Sequence, residues 1–196
     1  IWQTSMIKLR KLTKPKILVD NEQSWTQALL EKLAAGETPS NSEKTRYRHH
    51  QIKAALVNET FGKCAYCESK LLHIHHGDVE HIFPKSLEPS RFVEWENLTL
   101  ACEVCNQNKS NRDPNVENII DPYIEDPEDH FLFTGALVLA KGTNIGISSR
   151  TILDLNRGEL MERRKEKLES LAKIVEMALR PDIPLAARRA MIENLL

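Results

Sequence analysis

Residues 64–113 read CAYCESKLLHIHHGDVEHIFPKSLEPSRFVEWENLTLACEVCNQNKSNRD, and this stretch decides the fold. All four cysteines of the 196-residue chain lie in it, as the Cys-x-x-Cys pairs Cys64/Cys67 and Cys102/Cys105. Each such turn presents two sulfurs to one ion, and two turns complete a tetrahedron of thiolates. Four protein ligands leave no open position, so the pattern predicts a structural Zn2+ site clamping two distant turns together. Cysteines paired in this way, with no export signal, point to metal in a reducing cytosol and not to disulfides. Thirty-four residues separate the pairs, which is long for a plain zinc ribbon, and residues suited to chemistry sit inside that gap.

Asp78 to Phe83 reads as a strand ending at Pro84, Asn97 to Ala101 as a second strand, and Cys102 to about Ser110 as a short helix. This ββα unit sets a strand histidine, His81, against a helix asparagine, Asn106. Hydrolysis of a phosphodiester needs a base for the attacking water, and a neutral imidazole with a pKa near ~6.5 suits that task. It also needs a cation for the charge developing on phosphate, and Mg2+ or Mn2+ held by a few protein oxygens suits that one. His81 is the expected base, and Glu80 and the amide oxygen of Asn106 the expected metal ligands. Strand alternation puts Glu80 and His81 on opposite faces, so the strand must bend or end there for both to converge. Asp78 shares the Glu80 face and is the rival or additional ligand. Lys109, three residues after Asn106 on the same helix side, is placed to meet a phosphate. His73, His75 and His76 read as loop histidines, with a further ligand or phosphate contact as the alternative.

These residues resemble an HNH endonuclease, the ββα-metal class: the Cys-x-x-Cys pairs, Glu80-His81-Ile82-x-Pro84, Asn97, and Cys105-Asn106-x-x-Lys109 all match. The resemblance implies that His81 is the general base, that Asn97 braces the loop between the strands and orients the base, and that Asn106 binds the catalytic metal. One departure stands out, since the residue before the base is most often Asp and here is Glu80. The surrounding plan is similar to the PtuB-type nucleases of Septu and retron-associated antiphage systems. It comprises a basic arm, two N-terminal helices, Gly77-Asp78-Val79-Glu80-His81-Ile82-Phe83-Pro84-Lys85 and Thr151-Ile152-Leu153-Asp154-Leu155-Asn156. That likeness implies an ABC-like ATPase partner of the PtuA type and a DNA substrate. RNA (tRNA, for instance) is the alternative substrate, and a non-catalytic zinc-stapled adaptor is the alternative class.

Outward from the core, residues 1–60 form a basic arm, broken by Pro15, and two helices. The first is expected over about 24–35 with Ser24 as N-cap and Trp25, Leu29 and Leu33 on its apolar stripe. The second is expected over about 43–59, with a basic and aromatic opening (Lys44, Arg46, Tyr47, Arg48, His49, His50) that reads as a solvated face or a phosphate- or partner-binding surface. This region is the expected partner-binding segment, with Met6 the expected natural start. Residues 61–113 are the nuclease core. Residues 114–196 hold an acidic, Pro-rich loop, a hairpin around Gly135, a short helix over 149–156, and helices over 159–180 and about 184–195. The long helix carries a Leu160–Leu179 stripe read as core more than interface. The class is therefore α+β, mainly helical, with a ββα-metal core flanked by N- and C-terminal helices.

Composition fits a globular protein: 41% apolar and 28% charged. No run of ~18 apolar residues exists to span a membrane, the N-terminus lacks a signal peptide's apolar core, and the expected location is cytoplasmic. Net charge is −1, made of ten Lys/Arg against six Asp/Glu in residues 1–60 (+4), six against eight in 61–113 (−2), and eleven against fourteen in 114–196 (−3). A nucleic-acid enzyme needs positive surface, so here it must be local or supplied by a partner.

Overall fold

The computed structural model describes residues 6–71 and 77–193, so the expectations for His73, His75 and His76 lie outside the described residues. The chain runs through α1 (Lys16–Ala34), α2 (Asn41–Lys44), a 3-10 turn over Arg46–Arg48, and α3 (His50–Glu59) into the pair β1 (Asp78–His81) and β2 (Leu98–Ala101). It continues through α4 (Glu103–Lys109), α5 (Pro114–Glu117), α6 (Pro127–His130), the hairpin β3 (Phe131–Thr134) and β4 (Leu137–Ala140), and α7 (Asn144–Ile152). It closes on α8 (Gly158–Leu179) and α9 (Leu185–Glu193). The mainly helical α+β class holds.

Pro15 does stop the arm, but by starting a helix. Its fixed φ of −64° and extended ψ make it the N-cap of α1, and its carbonyl accepts from Leu18 and Val19. Ser24 is therefore mid-helix and not a cap, with its hydroxyl donating back to the Asn21 carbonyl at 3.0 Å. The expected second helix is three pieces. A Ser40–Glu43 capping box opens α2, the backbone turns tighter at Arg46–Arg48, and His49, extended at ψ 138°, caps α3 by accepting from the Gln51 N–H at 3.3 Å. The tight turn rolls Tyr47 into the core, while α3 buries Ile52 and Leu56.

The N-terminal arm is tied to the core at several points while its basic residues Lys8 and Arg10 stay exposed. Met6 and Leu9 are buried, and the Leu9 N–H donates to the Pro122 carbonyl at 2.8 Å. Lys11 pairs with the buried Glu59 at 3.1 Å, donates to the Leu98 carbonyl of β2, and lies 4.4 Å from the Trp95 ring and 4.3 Å from the Tyr123 ring. The Leu12 N–H reaches Glu59 at 2.9 Å and its carbonyl accepts from Trp95 Nε1 at 2.9 Å. Apolar anchors alternate with basic ones, so the arm straps across the back of the ββ pair.

The β1–β2 pair is antiparallel in the register Asp78↔Ala101, Val79↔Leu100, Glu80↔Thr99, His81↔Leu98. Every β2 residue is buried, as a strand covered on both faces must be. Gly77, at φ +65°, brings the chain into β1 where a Cβ would lie 2.8 Å from the Leu71 side chain. The expected hairpin forms around Gly135. The helix expected over 149–156 begins earlier and stops at Ile152. Leu153 and Leu155 then plug the core, and Asn156 pairs with both backbone groups of Val138 at 2.8 and 2.9 Å. The C-terminal helices do not pack on the core along their length: α8 buries only Leu160 and Ala178, and its main contacts are with α9. Among the described residues no helix is long and apolar enough to cross a membrane.

Candidate active site

The Cys64–Cys67 turn and the N-terminus of α4 bring all four sulfurs within 4.8 Å of one another, and the Cys67 and Cys102 sulfurs are 3.8 Å apart. A tetrahedron of zinc–sulfur bonds of about 2.3 Å has an edge of about 3.8 Å, so the cluster fits a zinc ion. Neighbouring thiols hydrogen-bonded to Cys67 pull it well below the usual thiol range and, led by Cys105, bring Cys102 to about 7. Burial pushes Cys64 up. A cation helps hold this charge. Arg157, the N-cap of α8, donates to the Cys67 and Cys102 sulfurs at 3.7 Å each and to Cys105 at 3.8 Å. Burial works against the Arg157 charge, but the three sulfurs outweigh it and raise its pKa.

His81 closes β1 and is 4% exposed. Its Nε2 lies 2.9 Å from the Phe92 carbonyl. A carbonyl only accepts, so Nε2 carries the proton and the lone pair is on Nδ1. Burial, then the nearby charges of Lys85, Lys109 and Arg48, hold the imidazole neutral and lower its pKa to about 3 against the pull of Phe92. Tyr47 packs edge-on against the ring at 4.6 Å between centroids.

The Phe92 carbonyl is in place because of Asn97, which is 0% exposed. Its Oδ1 accepts from the Phe83 N–H at 2.7 Å, and its Nδ2 donates to the Phe83 carbonyl at 3.0 Å and the Arg91 carbonyl at 3.1 Å. One side chain thus pins both ends of the loop between the strands.

On the other face of β1, Asn106 Nδ2 lies 3.4 Å from Asp78 Oδ2, a loose contact that leaves the amide oxygen without a protein partner among the described residues. Glu80, one step along the same face, is ion-paired with Lys109 at 2.9 Å. Burial pushes the Glu80 carboxyl up and Lys109 opposes it. Lys109 is 1% exposed and also donates to the His81 carbonyl at 2.8 Å. The expectation that Lys109 meets a phosphate is thereby corrected: its ammonium points inward and is consumed. The structure brings Asp78 to Asn106 and Glu80 to Lys109, while the His81 ring meets Phe92 and Tyr47, so the expected facing of His81 and Asn106 is not among its contacts.

Sequence reasoning missed Arg157, whose partners are fifty or more residues away, and did not assign Lys85 or Tyr47 to the site. A signal existed for the last two, in the motif ending at Lys85 and in the basic and aromatic run holding Tyr47 and Arg48.

Residues 64–112 match the HNH endonuclease family. The whole chain is similar to the Septu protein PtuB of Bacillus thuringiensis, with 30% identity over 181 residues, 88% of this chain and 65% of that protein. It is also similar to the Septu protein PtuB of Bacillus mycoides strain KBAB4, with 27% identity over 209 aligned residues, 88% of this chain and 69% of that protein. The chain therefore spans just under two thirds of the length of the first relative. A histidine ending the first strand, an asparagine bracing the loop and another on the cysteine-anchored helix agree with that match. Residues 64–112 are an HNH endonuclease domain, of a family that hydrolyses phosphodiester bonds.

Proposed function

We propose that the chain is a metal-dependent endonuclease cleaving DNA, with His81 as general base, and that it serves as the effector nuclease of an antiphage defence assembly with an ABC-like ATPase. The observation that carries the chemistry is the His81–Phe92 hydrogen bond. It fixes the tautomer, leaves Nδ1 as acceptor for a water proton, and works on an imidazole kept neutral at pH 7. Asn97 acts through the loop as a positioning residue. Asp78 and Asn106 are the oxygen donors that would hold a divalent cation, Mg2+ or Mn2+, and hard oxygen ligands of this kind suit those ions. Glu80 would join them only by giving up Lys109. When bound, the cation stabilises negative charge on the phosphate. The defence role and the partner rest on similarity to the Septu PtuB proteins.

The test is cleavage of duplex DNA, single-stranded DNA and tRNA with Mg2+, by the chain alone and with its co-purified ATPase. His81→Ala should retain zinc and lose ~10²–10⁴-fold in rate, the scale of a general base. Wild-type rates in that variant overturn the assignment of the base, and cleavage confined to tRNA overturns the DNA substrate.

A further inference from the structure

The correction at Lys109 leaves a question of charge. Hydrolysis at His81 brings a polyanion against this face, and the cation of the Asn106 helix, Lys109, is buried on Glu80. Two other cations surround the base. Lys85, four residues past His81, holds its Nζ 4.8 Å from the centroid of the Tyr47 ring. Arg48, from the 3-10 turn of the N-terminal region, holds its guanidinium carbon 5.3 Å from the same centroid. That ring packs on His81 at 4.6 Å. Tyr47 is buried while both cations are exposed, and neither is in an ion pair among the described residues. Exposed cations in no ion pair are available to a phosphate ligand.

We propose that Arg48 and Lys85 form the phosphate-binding clamp of the nuclease site, taking the backbone phosphates that flank the bond presented to His81. Tyr47 is the platform: its ring holds the two cations by cation–π attraction and packs on the base in a T-shaped contact. The clamp joins residues from both sides of the first Cys-x-x-Cys pair, so the basic N-terminal region contributes to the catalytic face. Its ligand is the sugar–phosphate backbone, so it adds affinity without sequence preference. This inference rests on the nuclease reading above.

The experiment compares the full chain with the Arg48→Ala/Lys85→Ala and Arg48→Lys/Lys85→Arg double variants. Fluorescence anisotropy with fluorescein-labelled duplexes of unrelated sequence is read without added Mg2+ or chelator across a salt series starting at low ionic strength. Cleavage is measured in parallel with Mg2+. Removing two phosphate contacts should flatten the slope of log K against log salt by about 1.8, at about 0.9 per contact. The loss should be equal for each duplex, zinc content and melting should be unchanged, and the charge-preserving pair should keep the slope. In cleavage the alanine pair should raise KM more than it lowers kcat. A wild-type slope in the alanine pair, alongside cleavage that is lost in His81→Ala, overturns the clamp and leaves the nuclease reading standing. Absence of both binding and His81-dependent cleavage in the wild-type chain overturns the two together.

Discussion

Lys109→Ala separates a buried structural cation from a phosphate contact, because the two roles predict opposite phenotypes. In the structure Lys109 is 1% exposed, paired with Glu80 at 2.9 Å and bonded to the His81 carbonyl at 2.8 Å. Deleting one member of a buried ion pair costs about 3–5 kcal/mol, because the other charge is left without compensation. With a urea m-value of about 2 kcal/mol/M, that moves the unfolding midpoint down by roughly 1.5–2.5 M, readable in the fluorescence of the buried Trp95. Burial already pushes the Glu80 carboxyl up, so in the variant Glu80 escapes part of the penalty by taking a proton. A group whose folded pKa is raised gives stability that is present at low pH and lost as pH climbs through that value. The destabilisation should therefore shrink as pH falls towards 5. A Glu80→Leu/Lys109→Met pair should recover most of the loss, since apolar replacements of a buried pair are often neutral. If Lys109→Ala unfolds within about 1 kcal/mol of wild type yet flattens the salt dependence of DNA binding by about one contact's worth, the inward placement is wrong.

Asn97→Ala should cost about 2–4 kcal/mol, since three hydrogen bonds disappear and backbone groups of Phe83 and Arg91 lose their partner. Its cleavage rate at a temperature where the variant is folded should fall, and an unchanged rate removes Asn97 from the positioning of His81. His81, with a folded pKa near 3, binds its proton only in the unfolded chain between there and ~6.5. Stability should therefore decline as pH falls through that window by up to ~1.36 kcal/mol per unit, a slope that His81→Gln should reduce. For the metal staple, Cys102→Ser should abolish zinc by elemental analysis. Arg157→Ala should keep zinc but surrender it faster to a chromogenic chelator, with Arg157→Lys intermediate. Equal release rates would show that the guanidinium does not hold the cluster.

Legibility of the fold followed the range of the interactions. The cysteine spacing, the Gly135 hairpin and the long C-terminal helix are local patterns, and they stand where the sequence puts them, while the strand before Pro84 starts at Asp78 as expected but ends at His81. Ser24 failed as a cap because Pro15 nucleates the helix two turns earlier, and propensity cannot rank two good starts. The tie-down of the basic arm was not legible because the partners of Lys11 and Leu12, Leu98 and Glu59, lie far along the chain. Lys109 failed as a phosphate contact because helix spacing gives its side but not its depth, and the carboxylate of Glu80 waits at that depth. The strand expected to run to Phe83 ends instead at His81, which leaves the His81 ring to the Phe92 carbonyl of the loop that follows.

The family match covers only residues 64–112, and that segment cannot carry its own geometry. Its sheet is two strands of four residues and its helix is seven residues long, too little apolar surface for an independent core. Each functional element is instead held from outside the segment. Lys11 bonds the Leu98 carbonyl opposite His81, Tyr47 seats the imidazole, and Arg157 reaches from α8 onto three of the four sulfurs. These three residues lie before and after the matched stretch, so the flanks complete the site. Within the matched stretch Lys109 is buried in a pair with Glu80, while Arg48, from a flank, and Lys85 lie against the Tyr47 ring that packs on His81.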